Sequence, residues 1–558
     1  MGIFRARRAL NIPRFLFLAG LLLAGCGLVA QPAPLPSAAP SATIAPATPT
    51  VSTGAQVTLQ SGATLAPTST TGAPEPSLTP APTQLPAAAQ YVVLIVLDGC
   101  RPDYFDLADL PNLQALIQAG SSYPDAWVGQ LDSNTAPGHT TMSTGSFPNH
   151  HGILSFNWLS PLGSISDPTG DAAVNKGEMA DIVRASGVPT LAGLIKERYP
   201  DGIVAAVSAT KAHAAMGLGS GPTDIILYGS AKGATLTPAA VQGYAPSDEI
   251  LNDPRLTVTV EQPGQENLFA ARAGAVLVEK VRPRALLLNF SATDVYGHSS
   301  GGKIAPSLMR KVMQNSDKAV GELVAAYRQA GIFDQTLWVI VSDHGMIPNS
   351  HLIDPQTLES VAADAGMPGN DKAPYVFLSN PLKSQKLAEA FAAKHLPGFV
   401  AVYYKLDLRD GVSYLPAPST QAGLNIQLDA TYRYLLSTVS GPNAPDVVIT
   451  TAEDAMVGTG EPNTSGSHGW ITWGDQHIPL ILSGPGVQAG AAPASPARLV
   501  DLLPTIARLM GLPEASWDGL VLADALNSPT PEDQARQAAS NDLLQVLRDK
   551  LKATAGNE

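Results

Sequence analysis

Cysteine is nearly absent: the 558 residues hold two, Cys26 and Cys100. That excludes a disulfide scaffold and any zinc site built from four thiolates. Charge is scarce too, at 15% of residues, against about 25% in ordinary soluble domains. What charge there is leans acidic, with 34 Lys+Arg against 47 Asp+Glu. Nucleic acid is therefore excluded as a main partner, because phosphate backbones are held by basic patches. No internal repeat is present, and nothing in the composition implies a protein partner.

The first ninety residues stand apart. Arg5, Arg7, Arg8 and Arg14 surround and precede the start of a short apolar stretch, Phe15–Leu23, too short for a comfortable membrane span. It ends in Leu23-Ala24-Gly25-Cys26, which resembles the bacterial lipobox. That resemblance implies cleavage before Cys26, a lipid on Cys26, and export with anchoring to the bacterial cell membrane. Residues 1–26 are thus expected to be a lipoprotein-type signal. Residues 27–90 are mostly Pro, Ala, Thr and Ser with one charge, Glu75. Such a segment cannot bury enough apolar surface to offset its ordering entropy, and it is expected to be a disordered, extended tether. Residues 1–90 hold four Arg and one Glu, so the remainder carries 30 basic and 46 acidic residues, a balance of -16.

From residue 91 the pattern changes. Tyr91-Val-Val-Leu-Ile-Val-Leu97 is a continuous apolar, β-branched run, as expected of a strand covered on both faces in a parallel sheet. Similar runs recur at Ile203–Val207, Ala285–Asn289, Leu337–Val341, Val447–Thr450 and Pro479–Leu482. Helical patterns lie between them, at 111–120, 268–281, 305–330, 383–394 and 497–511. This alternation predicts an α/β fold: a doubly wound, mostly parallel central sheet with helices on both faces. The folded domain is expected over 91–528, with a smaller cap region over roughly 158–270 and a polar C-terminal helix within 529–558.

Acidic and imidazole side chains fall where these strands end. Asp98 follows the first run, Asp294 and His298 follow the run ending at Asn289, and Asp343 and His344 follow the run ending at Val341. His468 sits in Gly466-Ser-His-Gly469. Ligands of open α/β sheets bind outside the carboxyl ends of the strands, so these side chains are expected to meet at one edge. Mixed Asp/His ligation suits zinc, and six such groups can serve two ions. Two metals about 3.5–4 Å apart can clamp both oxygens of a phosphoryl transfer. The candidate nucleophile is Thr135, just before Pro137, where it is expected to cap a helix whose N-terminus favours a phosphate.

These segments together resemble the alkaline phosphatase superfamily, in its type I phosphodiesterase/nucleotide pyrophosphatase branch. The resemblance is carried, in order, by Leu97-Asp-Gly-Cys-Arg101, Thr135-Ala-Pro-Gly-His139, Thr144-Gly145, Pro148-Asn-His-His-Gly-Ile153, Asp294-Val-Tyr-Gly-His298, Ser342-Asp-His-Gly345 and Ser467-His-Gly469. Leu499–Ala507 resembles the family's closing helix. The resemblance implies that Asp294, His298 and His468 hold one zinc, and that Asp98, Asp343 and His344 hold the other, which also takes Thr135. It implies attack by Thr135 on phosphorus, a phosphothreonine intermediate, and its hydrolysis by water. The substrate would be a small-molecule phosphate ester.

Two positions depart from the family pattern. A phosphate-binding Asn is usual where Phe156 falls, and the neighbouring Asn157 is the candidate in its place. Lys211, in Ser208-Ala-Thr-Lys-Ala-His213, matches a phosphate-binding Lys, while His213 stands where the monoesterases have Arg. With one strong cation instead of two, the expectation leans to phosphodiesters or pyrophosphates, with an alkaline phosphomonoesterase as the alternative. A sulfatase is disfavoured because Thr135-Ala-Pro-Gly-His139 has neither Cys nor Ser at the nucleophile position. A non-catalytic, lipid-anchored binding protein on the same fold would be expected to have lost ligands or nucleophile, and none is lost.

Overall fold

The alternating faces of the first apolar run explain the architecture. In Tyr91–Leu97, Val92, Leu94 and Val96 point to one side of the sheet and Val93, Ile95 and Leu97 to the other, and all six are fully buried. The first set packs with Leu502, Leu503 and Ile506 of helix Leu502–Met510. The second packs with Phe269 and Val276 of helix Asn267–Lys280, and with Met313, Val320 and Leu323 of helix Pro306–Gln329. A strand buried on both faces has no polar alternation to show, hence its continuous apolar sequence.

These features come from a computed structural model that describes residues 87–159, 165–301, 305–369, 374–408, 411–418 and 426–556. The expected signal, Cys26 and the tether up to residue 86 lie outside the described residues. Residues 84–558 make one compact unit.

Nine strands form the central sheet. In spatial order they are Gly120–Tyr123, Leu480–Ser483, Thr336–Val341, Tyr91–Leu97, Ala285–Phe290, Val204–Ser208, Ile225–Lys232, Thr235–Ala240 and Val258–Thr259. The five from Thr336–Val341 to Ile225–Lys232 pair in parallel, and the outer pairings are antiparallel. The mostly parallel, doubly wound sheet expected from the sequence is thus present.

Two assignments need correction. The region 158–270 is not a cap throughout: residues 204–259 supply four strands to the central sheet. The apolar stretch Val204–Val207 belongs to the main core, and the polar hairpin after it extends the same sheet to its edge. Conversely, Val447–Thr451 leaves the central sheet. It joins Tyr375–Val376, Phe399–Leu408 and Gly411–Pro416 in a separate four-stranded sheet. An apolar run reports burial on both faces, not which sheet provides it. The C-terminal helix Pro531–Lys552 is capped by Thr530, whose side chain accepts from the Asp533 amide, and buries Leu544, Leu547 and Leu551 against helix Ile426–Ser437.

Candidate functional site

Parallel strands end on one side of a sheet, and four of these ends deliver the chemistry. Asp98 follows Leu97, Lys211 follows Ser208 by three residues, Asp294 lies four past Phe290, and Asp343 and His344 lie two and three past Val341. Gly99 allows this crowding: at φ +64° it has a conformation that disfavours a side chain, and a Cβ there would sit 3.0 Å from the Asp294 backbone. His468 arrives from another direction, because Gly466–Ser467 pairs with Ile347–Pro348 just after His344. The two imidazoles stack with centroids 3.6 Å apart.

Thr135 opens the helix Thr135–Thr144 and is 1% exposed. It is the first helical residue and not the cap, which is Asn134. The extended backbone needed at a cap falls one residue earlier than Pro137 suggested. The Thr135 Oγ1 lies 3.5 Å from Asp98 Oδ1, 3.4 Å from His344 Nε2 and 3.4 Å from Lys211 Nζ.

The histidine partners decide which nitrogens carry protons. A carbonyl oxygen only accepts, so a ring nitrogen beside one must donate. His298 Nδ1 faces Gly466 O at 2.9 Å, His468 Nδ1 faces Ser133 O at 3.1 Å, and His344 Nδ1 faces Gly345 O at 2.8 Å. With Nδ1 donating outward, Nε2 is in each ring the nitrogen that faces inward. The Nε2 atoms of His298 and His468 are 3.2 Å apart, and each is 3.3 Å from Asp294 Oδ1. His344 Nε2 is 3.4 Å from Asp343 Oδ2 and 3.6 Å from Asp98 Oδ1. Asp294 Oδ1 is buried with no hydrogen-bond donor, and the buried Asp343 Oδ2 has only His139 Nδ1 nearby, at 3.2 Å and already donating elsewhere. Two such clusters are what a cation would satisfy, and their imidazole-carboxylate chemistry fits a metal. Within 4.8 Å, candidate ligand atoms group as Asp294, His298 and His468, as Asp98, Asp294 and His344, and as Asp98, His139 and Asp343.

His139 is already engaged. Its Nδ1 donates to Thr135 O at 2.8 Å, and its Nε2 accepts from Asn289 Nδ2 at 2.9 Å. It braces the helix Thr135–Thr144 against strand Ala285–Phe290. Asn289 also donates to Asp98 Oδ2 at 2.7 Å, and Ser208 Oγ donates to Asn289 Oδ1 at 2.7 Å. Asn289 was not singled out from the sequence, although a lone amide inside the apolar run Ala285–Phe290 is a signal for such a role.

Charges are uneven across the site. Burial would raise the Asp294 carboxyl, but the Lys211 ammonium 2.6 Å away holds it well below the usual carboxylate range. Asp98 goes the other way: burial and the neighbouring Asp343 raise it against the pull of Lys211. His468 is pushed down to about 3 by burial and by the adjacent His344, so its ring is a neutral donor of lone pairs.

Lys211 Nζ bridges Asp98 and Asp294. Asn157 is exposed, on the rim of a cavity of about 510 Å³ beside His468, with Phe156, Tyr375 and Trp470 among its walls. His213 turns its ring against the edge of Phe156, with centroids 5.3 Å apart. Cys100 is a buried free thiol, raised well above its ordinary value by burial, and its backbone N–H donates to Ser342 Oγ.

The family model described as type I phosphodiesterase/nucleotide pyrophosphatase matches residues 92–471. The chain belongs to that family. It is accordingly a member of the alkaline phosphatase superfamily. It is 27% identical to an uncharacterised pyrophosphatase/phosphodiesterase of Schizosaccharomyces pombe over 261 residues, covering 46% of this chain and 45% of that protein. It is 24% identical to alkaline phosphatase PhoK of Sphingomonas sp. over 485 residues, covering 72% of this chain and 84% of PhoK. The crystal structure of wild-type alkaline phosphatase PafA shares the fold, with a TM-score of 0.62 at 14% identity over 79% of this chain and all of PafA. Of the motif segments, Leu97–Arg101 and Ser342–Gly345 follow strands, Thr135–His139 opens helix Thr135–Thr144, and Asp294–His298 lies in helix Ala292–Ser300.

Proposed function

We propose that the protein is an exported, two-zinc hydrolase of phosphoric esters that works through Thr135 and favours phosphodiesters or pyrophosphates. The observation that supports this most is the meeting of two carboxylate-imidazole clusters, with Nε2 atoms turned inward, beside one buried hydroxyl. Asp294, His298 and His468 would hold one ion, and Asp98, Asp343 and His344, with Thr135, the other. Such ions supply Lewis-acid charge for a hydroxyl and for phosphoryl oxygens. Thr135 Oγ attacks phosphorus in line, the ester oxygen leaves opposite, and phosphothreonine forms. Water then breaks the new ester and restores the hydroxyl. The first turn of helix Thr135–Thr144 directs its amides towards the phosphate. Zinc-loaded protein assayed on nitrophenyl phosphate and bis-nitrophenyl phosphate is expected to have the higher kcat/KM on the diester. A strong monoester preference would reverse that assignment.

The monoesterase alternative rests on Lys211, whose ammonium is 3.4 Å from Thr135 Oγ1. A charge-assisted hydrogen bond contributes roughly 1.5–3 kcal/mol, or about ten- to a hundredfold in rate. His213 adds no second cation: burial and the adjacent Lys211 push it down to about 3. Lys211→Ala is expected to lower kcat/KM on the monoester by about that factor and barely change the diester. Equal losses on both would remove Lys211 from phosphate binding. The role of Asn157 is testable in the same assay, since Asn157→Ala should weaken both substrates if its amide reaches the phosphate.

The proposed location follows from the N-terminal segment, with Cys26 lipidated and residues 27–90 as tether. No helix among the described residues is long and apolar enough to cross a membrane. Cys26→Ser is expected to move the protein from the membrane fraction to the soluble fraction. Retention after a high-salt wash would call for a different anchor.

A further inference from the structure

Asp132 is 2% exposed and lies outside the seven motif segments, yet three separate parts of the chain donate to its carboxylate. Oδ2 accepts from Asn134 Nδ2 at 2.8 Å and from Ser155 Oγ at 2.7 Å. Oδ1 accepts from the Tyr375 hydroxyl at 3.3 Å. Tyr375 belongs to the four-stranded sheet and also reaches Gly469 O at 3.2 Å, next to His468. The Asn134 amide donates back to Asp132 O at 2.8 Å, closing the turn 132–134. Both halves of the site hang on this turn. Asn134 is the residue from which Thr135 starts its helix, and Ser133 O takes the Nδ1 proton of His468.

We propose that Asp132 is a positioning residue: its carboxylate fixes the turn that at once presents Thr135 and sets which nitrogen of His468 faces Asp294. This rests on the functional reading above. Three donors converge on two acceptor oxygens, so an amide in the same place would aim its own N–H groups at one of them. The turn would then relax at unchanged side-chain volume, and a displacement near 1 Å at a reacting group costs about a hundredfold in rate.

Asp132→Asn should lower kcat on bis-nitrophenyl phosphate by about ten- to a hundredfold, with KM, metal content and circular dichroism close to wild type. Tyr375→Phe, which removes one donor, should produce a smaller loss of the same kind. The double variant should be no worse than Asp132→Asn alone, because both changes act through one carboxylate. Spectra of the ¹⁵N-histidine-labelled protein provide a readout apart from activity. The Nδ1–H signal of His468, assigned with His468→Gln, should exchange slowly with solvent in the wild type, and should shift and exchange faster in Asp132→Asn, because its bond to Ser133 O is loosened. Wild-type kcat in Asp132→Asn, a loss matched by lost metal or lost folded protein, or an unchanged His468 Nδ1–H signal would each overturn the proposal. A wild-type protein that hydrolyses no phosphate ester would instead overturn the functional reading, and the His468 spectra would still decide on Asp132.

Discussion

Thr135→Ala is expected to reduce turnover by roughly three or more orders of magnitude, leaving only the rate that binding and electrostatic stabilisation sustain. That loss corresponds to at least about 4 kcal/mol of barrier. The fold should tolerate the change. Thr135 is the first residue of its helix, Asn134 holds the cap, and Ala is a better helix former than Thr. Metal content should also persist, because Asp98, Asp343 and His344 remain. Acid quenching of the wild type during turnover, followed by peptide mass spectrometry, should place phosphate on Thr135. Phosphate on another residue, or near-normal turnover of Thr135→Ala, would reject Thr135 as the nucleophile.

Prolonged chelation is expected to abolish hydrolysis, and added zinc to restore it. The physical ground is the pair of buried carboxylate oxygens, Asp294 Oδ1 and Asp343 Oδ2, among inward-facing imidazole Nε2 atoms. Such groups are costly to bury unpaired. Metal should therefore stabilise the fold as well as the reaction. Free zinc at a thousand times its Kd adds about 4 kcal/mol to the unfolding free energy if the unfolded chain does not bind it. Elemental analysis with denaturant titration of chelated and reloaded protein measures both effects. Full turnover by protein stripped to well under one metal per chain would refute metal dependence.

Much of this site was legible because burial on both faces leaves a mark. The runs ending at Leu97, Asn289 and Val341 announce parallel strands, so the polar residues just beyond them had to share an edge. The signal was weaker wherever residues face neighbours distant in sequence. Asn289, His139 and Asp132 brace the site from inside, and single polar residues within apolar or loop segments have many ordinary uses. The strand Val447–Thr451 read like the central ones, since the four-stranded sheet buries it equally well. Phe156 and His213 stand at separate family positions in the sequence, whereas the fold packs them against each other.

The amino-acid sequence by itself determined the chemistry available: a threonine hydroxyl, three carboxylates, three imidazoles and one lysine, placed at the ends of buried strands and on Gly-flanked loops. Only the tertiary structure decided how those groups face one another. The imidazole protons are held by the carbonyls of Gly466, Ser133 and Gly345, and every residue has such a carbonyl whatever its side chain. No residue type encodes which carbonyl a ring will meet. The orientation that turns three histidines into inward-facing acceptors therefore comes from the path of the folded backbone.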